Sequence, residues 1–155
     1  SYPVPKIALV PLFILWLGIG NVSKIAMIFT AAVFPVIINT YAGVKGVRKN
    51  LIWRALTMGA SQGEVLRKVM LPAALPSIFT GLRLSMGVSW ILLIAAEMVS
   101  ANTGLGFLIL FAEQMYETQI VFVGLLTVAA CGFAFDRLVQ YATRRLCYWH
   151  YQEAY

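Results

Sequence analysis

Of the 155 residues, 61% are hydrophobic and only 12% are charged. An ordinary soluble domain is roughly 45–50% apolar and about 25% charged, and a chain this short cannot hide such an excess of apolar surface from water, so a soluble globular fold is excluded in favour of an all-α integral membrane protein. The net charge of +6 lies in short clusters between apolar runs, with no aromatic-interleaved basic stripe, which excludes nucleic acid as a partner.

In chain order, Ser1-Tyr2-Pro3-Val4-Pro5 carries no initiator Met and no charged segment ahead of an apolar core. It is not a signal peptide, and the chain reads as a fragment that lacks upstream helices. Four apolar stretches approach the roughly 20 residues that cross a bilayer as a helix. They are residues 7–20 with Pro11, 24–43 with Pro35 and Asn39, 76–101, and 119–141. Trp16 and Trp90 lie within spans and read as packing residues.

Residues 45–75 differ from the rest, holding Lys45, Arg48, Lys49, Arg54, Arg67 and Lys68. The pattern predicts two short amphipathic helices. The first runs from Leu51 to Met58, with Asn50 as N-cap and Gly59 as the helix-ending C′ residue. The second opens on Ser61-Gln62-Gly63-Glu64, an S-x-x-E capping box, presents Val65, Leu66, Val69 and Met70 along one stripe, and stops before Pro72. Residues 102–118, with Glu113 and Glu117, are too polar to span and predict a short helix at the outer surface. If the 45–75 loop is cytoplasmic, every basic residue except Lys24 lies inside, a strong positive-inside pattern.

The loop carries a recognisable spacing. Gly59-Ala60 is followed, with nine residues between the glycine and Val69, by Val69-Met70-Leu71-Pro72, and Ala55 completes the start of the pattern. The arrangement resembles the E-A-A-x-x-x-G…I-x-L-P loop of binding-protein-dependent ABC importer permeases. The flanks Pro11–Gly20, Phe34–Thr40, Thr80–Arg83 and Ala95-Ala96-Glu97-Met98 are similar to the nitrate, sulfonate, taurine and bicarbonate branch. Trp53-Arg54 stands where that pattern has Glu-Ala. The resemblance implies about four of the six helices of a permease fold, in a bacterial inner membrane. It implies a loop (Ala55, Gly59, Ala60, Ser61, Glu64, Val69, Leu71, Pro72) seated on an ABC ATPase subunit. It also implies a second permease copy, an external solute-binding protein, and a small anion as solute. The chain has no G-x-x-x-x-G-K-[ST] loop, so nucleotide chemistry belongs to a partner.

Several polar residues lie within the apolar runs. Gly81, Ser85 and Ser89 recur every four residues, as do Ala31, Pro35, Asn39 and Gly43. Such stripes read as close helix packing or, for Asn39, Ser85 and Ser89, as a lining of the translocation path. Glu97 is the fourth candidate along the path, as a polar contact or gate near the outer mouth, or else a partner of Lys24. Arg83 either pairs with Asp136, snorkels to headgroups, or attracts an anion. Cys131 and Cys147 lack metal-ligand spacing, and His150 lies in an interfacial aromatic tail. No Ser/His/Asp arrangement or carboxylate pair occurs, so no catalytic residue, cofactor or metal is expected. Competing readings are a channel or secondary transporter that works without an ATPase, and an inactive remnant of a permease.

Overall fold

The computed structural model describes residues 6–146, and among these every regular element is helical. Ser1–Pro5, Cys147 and the tail that includes His150 lie outside the described residues. A 3-10 turn, Lys6–Leu9, leads into α1 (Val10–Leu17). There follow α2 (Asn21–Lys45), α3 (Lys49–Thr57), α4 (Gln62–Val65), α5 (Leu71–Ser100), α6 (Leu105–Gln114) and α7 (Thr118–Leu146).

Three helical runs are long and apolar enough to cross a membrane: Asn21–Lys45, Gln62–Ser100 and Thr118–Arg145. The first apolar stretch, expected as a span over 7–20, is helical from the 3-10 turn at Lys6 through α1, which ends at Gly18 with φ +79°. Apolar exposure within the chain is plain on α7. Only 6% of its most apolar 18-residue window is buried within the chain, and Phe122, Val123, Leu126 and Phe133 are all exposed. In water such a surface would be an aggregation site, whereas hydrocarbon solvates it.

The largest departure from expectation lies at Pro72. The second loop helix does not stop there. Residues 62–100 form an unbroken helical run of 39 residues, so the third long helix begins well before Pro76. A proline lacks an N–H, and its ring crowds the carbonyl four residues back. The chain meets both demands by opening the preceding turn into a π turn, Leu66–Met70, in which the Leu71 N–H donates to the Leu66 carbonyl. Such single π turns are the usual way a helix absorbs a local mismatch.

Two packing units share these helices: residues up to 34 with 85–138, and residues 35–84 with the described residues from 139 on. The first has a core of Val10, Met27, Ala31, Leu92 and Ala96, against which Phe13, Ile14, Ile28 and Val88 pack. In it Trp90 lies with its ring centroid 5.5 Å from that of Phe135, and a Cβ on Gly132 would come 3.2 Å from the indole nitrogen. Trp90 is thus a packing residue, whereas Trp16 is 69% exposed. In the second unit α2 and α5 meet through glycines. A Cβ on Gly43 would come 2.6 Å from Ser77 Cβ, and one on Gly81 would come 2.9 Å from the Pro35 carbonyl.

Candidate coupling loop and polar sites

The loop is built from helix ends. α3 begins at Lys49, with Arg48 rather than Asn50 at its N-cap, and Asn50 lies inside the first turn. At its far end Gly59 takes φ +88°, a left-handed conformation that suits glycine. The Gly59 N–H donates to the Leu56 carbonyl at 3.0 Å and the Ala60 N–H to the Ala55 carbonyl at 3.1 Å. This pair of bonds is a Schellman closure. It accounts for the glycine at position 59.

The chain re-enters helix almost at once. The Glu64 N–H donates to the Ser61 hydroxyl at 3.3 Å, and the Ser61 N–H returns a bond to the Glu64 carboxylate at 3.1 Å, a complete capping box. Lys68 reaches the other carboxylate oxygen at 2.9 Å. The Lys68 ammonium, followed by the Ser61 amide and hydroxyl, holds the Glu64 carboxyl at about 2, well below its ordinary 4.5. The linker is therefore bonded from both sides, and α3 packs against α4 and the π turn. Val65, 4% exposed, is buried in this loop, while Val69 is half-buried and Leu71 exposed.

The outer surface of the loop is unusual for a polar segment. Met58 is 87% and Trp53 65% exposed, with Leu56 and Leu66 also open. Exposed Arg54 lies on the same helix as Trp53. An aromatic and a flexible thioether standing out from a hydrogen-bonded scaffold make a surface suited to a protein socket.

The four residues expected along a polar path divide between the units. Asn39 lies in one, half-buried, with its amide donating to its own helix at the Pro35 carbonyl, 2.8 Å away. Ser85, Ser89 and Glu97 lie in the other. Ser85 is 3% exposed, and the Ser89 hydroxyl donates to the Ser85 carbonyl at 2.7 Å.

Glu97 has a definite partner. Its carboxylate accepts the Gly106 N–H at 2.9 Å, in the first turn of α6. A Cβ on Gly104 would fall 2.5 Å from the Glu97 carboxyl carbon, and one on Gly106 would strike the Ile94 carbonyl. Gly104-Leu105-Gly106 is thus a cradle whose missing side chains make room for Glu97. The carboxylate serves as a helix cap supplied from α5, placed where the positive end of the α6 dipole favours it. Sequence reasoning placed Glu97 near the outer mouth but missed this bond, although two glycines soon after a membrane acid were the available signal. It also missed Tyr116, the one non-glycine residue with positive φ among those described, for which the sequence held no cue. Among the described residues no group of three metal-ligating side chains occurs.

Three long apolar helices, two of them joined by a hydrogen-bonded basic loop, define a multi-pass helical membrane protein. The chain belongs to the family of binding-protein-dependent transport system inner membrane components, whose model matches residues 2–147. It is 43% identical over 148 residues to the taurine transport system permease protein of Escherichia coli K12, covering 96% of this chain and 54% of that protein. It is 42% identical over 146 residues to a Bacillus subtilis protein provisionally named as an aliphatic sulfonates transport permease, covering 94% of this chain and 53% of that one. To the riboflavin transport system permease protein of Chloroflexus aurantiacus it is 33% identical over 149 residues, 96% of this chain and 56% of the relative. The chain spans about half the length of these curated relatives.

Proposed function

We propose that this chain forms the loop-bearing part of the permease subunit of a bacterial ATP-driven importer. Its long helices contribute to a translocation path in the inner membrane. Residues 45–75 are the cytoplasmic handle by which a separate ATPase subunit moves them, and ATP hydrolysis takes place on that partner. A second permease copy completes the path, and an external solute-binding protein delivers the solute.

The observation that carries this reading is the loop. It is braced by a Schellman closure and a capping box, it displays Trp53 and Met58, and it runs without a break through the π turn into α5. A push on a braced handle is transmitted along a helix, whereas a push on a slack loop is absorbed; closure of an ATPase pair would so drive a rigid-body change of access. Basic residues in the last turns of α2 (Lys45) and α7 (Arg144, Arg145) support a cytoplasmic location for the loop and the C-terminus. Asn39, Ser85, Ser89 and Glu97 are the polar positions proposed along the path. The solute is a small anion of the sulfonate class, a reading supported by the taurine and aliphatic sulfonate relatives; the riboflavin relative shows that the family spans other solutes.

The test is co-purification of the whole protein with the ABC ATPase subunit of its own organism's transport system. Forcing a β-branched residue into the left-handed position by Gly59→Val should weaken association roughly tenfold, since left-handed backbone costs an ordinary residue about 1–2 kcal/mol. An ATPase that never co-purifies, or that binds Gly59→Val as tightly as wild type, would overturn the assignment.

A further inference from the structure

Between Arg83 and Arg137 the chain has no Lys, Arg or His, and its only charges are Glu97, Glu113, Glu117 and Asp136. Two of these flank Tyr116 at the junction of α6 and α7. That junction is closed like a helix end: the Tyr116 N–H donates to the Glu113 carbonyl at 3.0 Å and the Glu117 N–H to the Ala112 carbonyl at 2.9 Å. The position between those bonds demands left-handed backbone, which glycine supplies without strain. Here a tyrosine takes it, with φ +60°. Bulky residues seldom adopt this conformation. Nor does packing within the chain reward it, because Tyr116 is 93% exposed. Beside it an open groove is lined by Leu110, Glu113, Gln114, Thr118 and Val121. A strained residue held out to its surroundings is an observation from which function can be inferred.

We propose that Tyr116, rimmed by Glu113 and Glu117, is the anchor on which the external solute-binding protein docks. This rests on the importer reading and specifies its outer partner. The family is binding-protein-dependent by description, so a soluble partner must seat somewhere on the outer face. The two carboxylates select a partner surface with a basic rim. Tyrosine is among the residues that act as interface anchors, joining apolar area to a hydroxyl at small entropic cost. A tyrosine seated only in lipid headgroups needs neither left-handed backbone nor flanking acids.

The experiment uses the whole permease with its ATPase in nanodiscs and its cognate solute-binding protein, titrated as the probe while ATP turnover is followed. Tyr116→Gly should raise the binding-protein concentration for half-maximal stimulation about tenfold, the effect of losing one interface anchor, and saturating binding protein should restore the maximal rate. The melting temperature of Tyr116→Gly should equal or exceed that of wild type, because glycine relieves the strain. Glu113→Gln with Glu117→Gln should flatten the salt dependence of the half-maximal concentration. A benzophenone amino acid at 116 should cross-link to the binding protein on illumination. Unchanged half-maximal concentrations, a lower melting temperature for Tyr116→Gly, or cross-links to lipid alone would each overturn the docking proposal while leaving the importer reading in place. A wild-type complex indifferent to the binding protein would overturn both.

Discussion

At Glu64 one carboxylate holds the start of a 39-residue helical run, and its protonation tests that role. Its bonds to Lys68 and Ser61 hold the folded-state carboxyl at about 2, against 4.5 for the ordinary group. A depressed carboxyl stabilises the fold fully above the unfolded value, and the contribution is lost as pH falls through the folded one. The capping box should therefore be intact above about pH 4.5 and loosen progressively toward pH 2. Hydrogen exchange at the Glu64 and Val65 amides, corrected for intrinsic rates, should accelerate through that window. Glu64→Gln keeps a capping acceptor but cannot titrate, so its exchange should show no such acceleration. An acceleration of equal size in the variant would remove Glu64 from this role. Ser61, Glu64 and Gly59 were legible in the sequence because capping and left-handed closure depend on a few neighbouring residues. Tyr116 was not, since nothing in its neighbours calls for a tyrosine at a position that favours glycine.

Among the elements, α6 depends most on a residue outside itself. Its N-cap is Gly104, which has no side chain to offer, and the Gly106 N–H is satisfied by Glu97 from the preceding helix. Removing that acceptor by Glu97→Ala should destabilise the start of α6 by about 1 kcal/mol, the usual effect of losing an N-cap. Exchange protection should fall at the Gly106 and Leu108 amides while those of α7 stay protected. Equal loss along α7 would mean that Glu97 supports the unit's core rather than a single helix end. Element boundaries were less legible than caps. Pro72 reads as a stop when only proline's steric demand is counted, and continuation through it required a π turn that leaves no compositional mark. The first apolar stretch likewise reads as a span by composition, yet Gly18 ends α1 after eight residues.

For the molecule as a whole, the legible quantity was the alternation of apolar helix and charged connection, and it leads to a prediction about sidedness. The 45–75 loop carries six basic residues and one acid, whereas residues 101–118 carry two acids and no base. Lys45, Arg137 and Arg145 each lie over an aromatic ring of their own helix, at 5.6, 4.8 and 5.5 Å. Such cation–aromatic pairs suit the membrane interface, where a ring can sit among headgroups while the charge stays hydrated. The proposed orientation, with the basic loop cytoplasmic, predicts that Met58 and Tyr116 label from opposite compartments. In a cysteine-free background, Met58→Cys should react with a membrane-impermeant maleimide only after the cytoplasmic side is opened, and Tyr116→Cys should react in intact cells. Both side chains are more than four-fifths exposed, so failure to label would not arise from burial in the chain. The pair must be measured together, because either site alone can be silenced by a docked partner. Should Met58→Cys label from outside, the handle would be out of reach of a cytoplasmic motor, and a gradient-driven carrier would take the importer's place.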